Sequence, residues 1–261
     1  MKNQKVSIIT PSFNQGRFLE ETILSVLNQD YSNIEYIVMD AASTDATLEI
    51  LKKYDKRIIW KSEPDKGQAQ AINKGLKMAT GEILAWQNSD DTYLPKTVSI
   101  IVDFFLNNPG VGMVYGYLNY IDLNSKLLIT KKIKEFNYRQ FVCGRFHPCQ
   151  PTVFFRRSVL EQVGYLNEDF DYSMDTEFYC RIGTNFKIAL IPKVLGNFRI
   201  YAQSKSGKKA SIKRWREELK IIRRTYALGI INKILIGYYC YRAKIADVLK
   251  YKNKIKKYLE K

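Results

Sequence analysis

The chain has 261 residues, 46% of them hydrophobic, enough to bury a sizeable core, and this excludes a chain disordered throughout. Its single histidine, His147, excludes a multi-histidine zinc centre and leaves acid–base chemistry mainly to Asp and Glu. The net charge is +16, and 18 Lys and Arg against 4 Asp and Glu between residues 205 and 261 account for +14 of it, so the basic character belongs to the C-terminal part.

Val6 to Thr10 and Tyr36 to Met39 are short apolar runs ending in polar residues, the pattern of strands buried on both faces of a parallel sheet. Between them Leu19, Ile23, Val26 and Leu27 recur at helical spacing. The alternation predicts a helix over Ala46–Tyr54, a strand over Arg57–Lys61, a helix over Gln68–Met78 and a strand over Ile83–Trp86. A further helix carries Pro95 in its first turn and runs to Phe105. Such alternation implies an α/β fold, a mostly parallel sheet with right-handed crossovers. Met113–Ile121 and Leu127–Lys131 flank the polar turn Asp122–Lys126 and predict a hairpin. Beyond it, segments at Ser158–Val163 and Asp175–Ile182 and a strand near Ile188–Ile191 make a mixed second half, and the chain reads as helix from about Ala210. Asn232 and Lys233 interrupt the most apolar stretch there, so no run reaches the roughly 18 residues of a membrane span. Cys143, Cys149, Cys180 and Cys240 are scattered, form no Cys-x-x-Cys pair and follow no secretory leader; they read as reduced packing thiols in a cytoplasmic protein.

In open α/β sheets ligands bind beyond the carboxyl ends of the strands. Here the first strand ends in Pro11-Ser12-Phe13-Asn14, the second in Asp40, the third in Glu63-Pro64-Asp65-Lys66-Gly67 and the fourth in Gln87-Asn88-Ser89-Asp90-Asp91. Carboxylates at three successive strand ends repel one another, and a bound divalent cation is the usual reason such a cluster persists. Asp90-Asp91 suits Mg²⁺ or Mn²⁺, with phosphate and water supplying the remaining ligands. Any one of these acids also reads as a helix cap, as Asp45 does ahead of its helix. The first strand is followed by no Gly-x-Gly-x-x-Gly, which argues against a dinucleotide site, and by no Asp-x-Asp, which argues against an aspartyl phosphatase.

Val6-Ser-Ile-Ile-Thr-Pro-Ser-Phe-Asn14, Ser25-Val-Leu-Asn-Gln29, Asp40-Ala-Ala-Ser-Thr-Asp-Ala-Thr47, Ala71-Ile-Asn-Lys-Gly75 with Ala79-Thr-Gly81, and Asn88-Ser-Asp-Asp91 together resemble the family-2 glycosyltransferases of the GT-A fold, over roughly residues 5 to 205. The resemblance implies an inverting enzyme that moves a sugar from a nucleotide-sugar to a glycan or lipid-linked acceptor. It implies a catalytic domain over 1–205, with a nucleotide-binding half at about 1–112 and an acceptor-binding half at about 113–205, followed by a basic helical extension over 206–261. By the same resemblance Asp40 reads the base, usually uracil; Pro11, Ser12 and Asn14 line the nucleoside; Asp65, Gly67 and Gln68 form the next nucleotide-facing loop; Asp90 lies near ribose and sugar; and Asp91 binds Mn²⁺ or Mg²⁺. Met174-Asp-Thr-Glu177 looks like the family's acidic motif, with Asp175 the general base, and Gln150, Glu177 and Arg181 look like parts of the acceptor or sugar pocket. A salt bridge to Arg181 is the alternative role for Asp175. Three departures stand out: Asn88 where the family more often has Asp, Ala41-Ala42 in place of Gly-Ser, and Tyr201 in place of His, the last bearing on metal affinity.

The basic tail implies an anionic partner, with a membrane surface favoured over nucleic acid, since Tyr226, Tyr238, Tyr239 and Tyr241 sit in no standard nucleic-acid motif. Packing on the catalytic domain or homo-oligomer formation are its other roles. The whole points to a peripheral enzyme of the cytoplasmic membrane face in bacterial surface polysaccharide synthesis. A non-catalytic nucleotide-sugar-binding module and a nucleic-acid-binding protein acting through the basic tail are the competing readings.

Overall fold

The computed structural model describes residues 4–205 and 209–226. The chain opens with β1 (Val6–Ser12), α1 (Gly16–Leu27), β2 (Ile34–Asp40), α2 (Thr47–Lys53), β3 (Ile59–Ser62), α3 (Gln68–Met78) and β4 (Ile83–Trp86). These four strands lie in the order β3-β2-β1-β4, all parallel. Every residue of β1 is buried, Ser7, Thr10 and Ser12 included, so it shows no alternation of apolar with exposed polar positions, whereas β3 is a short, largely exposed edge. Ile8, Tyr36 and Val38 pack with Leu19, Ile23 and Leu51 on one face, and Ile9, Ile37 and Met39 pack with Ile72 and Leu76 on the other. On that second face α3 rides close to the sheet: a Cβ on Gly75 would meet Ile9 Cγ2 at 2.5 Å. The register sets Ser12 beside Asp40, and Asp40 beside Ser62, so the strand ends share one edge.

The second half adds β5 (Thr92–Tyr93), α4 (Thr97–Asn107), β6 (Val111–Ile121), β7 (Leu127–Lys131), α5 (Tyr138–Val142), a 3₁₀ turn at Gln150–Thr152, β8 (Phe154–Arg156), α6 (Arg157–Val163), α7 (Met174–Asn185), β9 (Lys187–Arg199) and α8 (Lys209–Tyr226). Beyond β4 the sheet continues β8-β6-β9-β5, with β7 paired to β6 as the expected hairpin. Here β8, β5 and β7 run antiparallel to their neighbours while β6 and β9 are parallel.

Boundaries differ from expectation in several places, and β3 begins at Ile59, not Arg57, because residues 54–57 form a turn. The helix after β4 starts at Thr97, not at Pro95, because Lys96 adopts a left-handed conformation (φ 67°) and leaves Pro95 in the preceding turn. The last strand runs far past Ile191 to Arg199: Pro192 falls at a register shift between the Gly116 and Tyr117 pairings, where a missing N–H breaks no ladder. The expected helix from about Ala210 is present as α8, and its continuation beyond Tyr226 lies outside the described residues, as does Cys240. Cys143, Cys149 and Cys180 are buried free thiols.

Candidate active site

The loops after β1 and β2 are locked together. The Asn14 N–H donates to Ser43 Oγ (2.8 Å), Asn14 Oδ1 accepts from the Thr44 N–H (2.9 Å), and the Gly16 N–H donates to Asp45 Oδ2 (2.9 Å). Asp45 also accepts from the Thr47 N–H; it precedes the N-cap position of α2, which falls to Ala46, and so ties the starts of α1 and α2 together without being the cap residue expected. Asp40 is buried, accepting from Ser43 Oγ, the Ser43 N–H and Ser62 Oγ at 2.5–3.0 Å, which fixes its carboxylate at the sheet edge with lone pairs to spare. Beside it Ser12 Oγ is buried with no protein partner, and Phe13 is exposed. After β3, Asp65 Oδ1 accepts from the Gly67 N–H (2.8 Å); Gly67, at φ 135°, opens α3 in a conformation that side chains resist.

The β4 end carries the densest polar network. Asn88 Nδ2 donates to Asp91 Oδ2 (3.0 Å) and to Gln150 Oε1 (2.9 Å), while Asn88 Oδ1 accepts from Gln68 Nε2 (2.8 Å). An amide is needed there: a carboxylate could not donate and would repel Asp91. Asp91 is buried, its Oδ1 accepting from the Arg199 N–H (3.0 Å) and its main-chain oxygen from Thr22 Oγ1. Tyr201, which departs from the histidine more usual in the family, donates its hydroxyl to Asp90 Oδ2 (2.9 Å). Burial pushes both carboxyls above the usual range, and for Asp91 the neighbouring Asp90 charge adds to it. The buried Arg199 guanidinium turns instead to the Asp90 carbonyl, the Asp122 carbonyl and Glu21.

These two desolvated, mutually repelling carboxylates fit a divalent cation as hard oxygen donors. Among the described residues no group of three or more His, Cys, Asp or Glu side chains encloses a metal, so such a cation would draw its other ligands from phosphate and water.

Next to this network lies a cleft of about 230 Å³, lined by Gln68, Asn88, Gln150, His147, Asp175 and Lys205 among others. Asp175 stands in the first turn of α7, its Oδ1 accepting from the Thr176 N–H (2.7 Å). Opposite, Lys205 Nζ bonds Gln68 Oε1 (3.2 Å) and pairs with Asp171 (2.5 Å). The loop bearing Asp171 is itself held by α8, whose buried Glu218 accepts from the Asp171 and Tyr172 N–H groups (3.0 and 2.9 Å).

The structure thus brings Gln68, Asn88, Gln150 and Asp175 into one cleft and links it through Asn88 to Asp91. Glu177 and Arg181 are not among its lining residues. Two positions along a helix turn the side chain through about 200°, so Glu177 faces away from Asp175. There it accepts from Arg181 Nε and Nη2 (2.9 and 2.8 Å) and from Tyr226 Oη (2.5 Å), while Arg181 also donates to the carbonyls of Val163 and Tyr165. Arg181 is therefore the partner of Glu177, and the alternative reading of Asp175 as its partner does not hold. Four residues that sequence reasoning did not place in the site, His147, Asp171, Arg199 and Lys205, are brought there only by tertiary contacts.

Residues 7–164 match the family model described as Glycosyl transferase family 2. The chain belongs to glycosyl transferase family 2. An uncharacterized glycosyltransferase of Methanocaldococcus jannaschii is 27% identical over 77% of this chain and 72% of its own length. An uncharacterized glycosyltransferase of Nostoc is 34% identical over 48% of this chain and 39% of its own length. Among solved structures, S. aureus TarS 1-349 in complex with UDP superposes with a TM-score of 0.67 at 20% identity, covering 90% of this chain and 69% of that one. The mannosyltransferase PcManGT of Pyrobaculum calidifontis, in complex with GDP-Man and Mn2+, gives a TM-score of 0.64 at 22% identity over 91% of this chain and 69% of that one. This family-2 glycosyltransferase accordingly has the GT-A fold.

Proposed function

We propose that this family-2 enzyme is an inverting transferase that moves a sugar from a nucleoside diphosphate sugar, a uridine one by preference, to a glycan or lipid-linked acceptor. The observation that carries the proposal is the single cleft in which Asp175 faces Gln68, Asn88 and Gln150, with Asn88 bonded to the buried Asp91. The nucleoside lies along Pro11, Ser12 and Asn14, where Ser12 Oγ lacks a protein partner, and Asp40 offers its remaining lone pairs to the base. Asp65 and Gly67 shape the loop that opens α3 beneath the phosphates. Asp90 and Asp91 would hold Mn²⁺ or Mg²⁺, which when bound neutralises charge on the departing diphosphate.

The acceptor hydroxyl attacks the anomeric carbon from the side opposite the diphosphate, and Asp175 removes its proton as the new bond forms. Gln150, anchored by the Trp86 carbonyl (2.6 Å), orients the sugar. Residues 1–112 supply the donor site and 113–205 the acceptor site. Outside the cleft, α8 exposes Lys213, Arg216, Lys220 and Arg224 beside the exposed Ile221 and the acid Glu217, a face of net positive charge suited to an anionic leaflet, where each basic residue contributes about 1 kcal/mol. No helix among the described residues is long and apolar enough to cross a membrane. This face supports a peripheral place in surface polysaccharide synthesis.

Calorimetric titration with UDP, dTDP and GDP, with and without Mn²⁺, tests the donor site. Manganese-dependent binding of one nucleotide, UDP by expectation, supports the proposal; binding of none refutes it.

A further inference from the structure

Resting on the reading of Asp175 as the base, we infer that His147 is a positioning residue that keeps Asp175 free and then receives its proton. His147 is the chain's only histidine and lines the cleft, its ring between those of Phe141 (5.5 Å) and Tyr179 (5.9 Å). Its Nδ1 lies 2.5 Å from the Pro148 carbonyl, which can only accept, so Nδ1 carries the hydrogen of the neutral ring. That leaves Nε2 with a bare lone pair, 2.7 Å from Thr176 Oγ1 and 3.7 Å from Asp175 Oδ2.

Thr176 has one hydroxyl hydrogen and two acceptors within reach: His147 Nε2 at 2.7 Å and Asp175 Oδ1 at 3.3 Å. Donated to Nε2, it leaves Asp175 Oδ2 open to the acceptor hydroxyl. When Oδ2 has taken the acceptor's proton, the hydroxyl swings to Oδ1 and uncovers Nε2, and a small rotation of Asp175 closes the remaining gap. The acceptor oxygen bonds to the anomeric carbon, the diphosphate leaves with the electron pair of the broken C–O bond, and the proton passes from Oδ2 to Nε2 and then to water in the cleft. The imidazolium so formed shares the cleft with Asp175 on α7, Lys131 on β7, Cys149, Asp171 and Lys205, while the Phe141 ring of α5 and the Tyr179 ring of α7, its hydroxyl buried, lie against it.

Because the histidine is unique, its ¹⁵N resonances in the full chain report this arrangement directly and without a donor. The expected result is the Nδ1–H tautomer in the native protein and a shift toward a mixture in Thr176→Val; an Nε2–H tautomer in the native protein overturns the inference. Turnover is read as release of nucleoside diphosphate from UDP-GlcNAc or GDP-mannose. In His147→Gln, kcat falls about 100-fold with KM unchanged and the acidic limb of the pH profile disappears. Imidazole restores His147→Gly, more strongly for the more basic methylimidazoles, a dependence that mere filling of space would not show. Loss of turnover in Asp175→Asn together with native kcat and pH profile in His147→Gln overturns the relay alone. Turnover retained in Asp175→Asn overturns the base assignment and the relay with it.

Discussion

Replacing Asn88 by Asp tests the account of the β4 end most sharply. In the native chain the Asn88 amide donates to Asp91 Oδ2 at 3.0 Å and to Gln150 Oε1 at 2.9 Å. A carboxylate loses both donations and sets a third negative charge against buried Asp91 and half-buried Asp90, whose pKa values are already raised by desolvation and, for Asp91, by the Asp90 charge. Two charges about 4 Å apart repel by about 4 kcal/mol at an effective dielectric of about 20; discounting for the half-exposed position of Asn88 leaves about 2 kcal/mol. For a chain of this size that lowers Tm by about 4–8 °C. The sign follows from ionisation. Carboxyls whose folded pKa is raised favour the folded state in acid and lose that contribution as pH rises through the raised value, so the deficit of Asn88→Asp grows toward pH 8 and shrinks in acid. Thermal melts in chelator at pH 8 and pH 5 measure it, and added Mn²⁺ recovers part of the loss by neutralising the cluster. Equal Tm values at pH 8, or a deficit that does not change with pH, would refute the reasoning.

Three further expectations follow from contacts described above. Asp175→Asn abolishes transfer while leaving nucleotide affinity unchanged in calorimetry; native turnover would remove Asp175 from its role. Arg199→Met takes the guanidinium away from the Asp90 and Asp122 carbonyls and from Glu21 and costs about 3 kcal/mol in urea unfolding, while the main-chain N–H of residue 199 still donates to Asp91, so metal-dependent nucleotide binding measured by calorimetry is retained. Glu35 would be raised by burial, but hydrogen bonds from Lys5, Ser7 and Thr80 outweigh this and lower it from 4.5 to about 2. Its stabilisation is therefore full above pH 4.5 and lost as pH falls toward 2, so the urea midpoint gap between the native chain and Glu35→Gln narrows between pH 7 and pH 3; a constant gap would show that the charge is not responsible.

The first half of the fold was legible because fully buried parallel strands write themselves as apolar runs, and α3 was bounded at Gln68 and Met78 by its periodicity. The strand-end rule led to Ser12, Asp40 and the Asn88–Asp91 segment without any coordinates. What stayed hidden had specific causes. β5 has two residues and β8 three, too short for any period, and Pro192 masked the second half of β9. The facing of Glu177 away from Asp175 depends on helix phase, and its engagement by Tyr226 spans 49 positions of sequence. The meeting of His147 with Thr176 depends on how the segment after α5 folds back on α7, which no local pattern encodes.

The clasp of Glu218 on the Asp171–Tyr172 backbone couples two parts of the chain that an engineer would want to vary separately. A variant shortened before α8 to shed positive charge would also release a wall of the substrate cleft. A chimaera that grafts this tail onto a related catalytic unit would seat it in the same way only if the recipient loop presents two N–H groups where the glutamate expects them. Inheritance of the tail is thus constrained from inside the cleft.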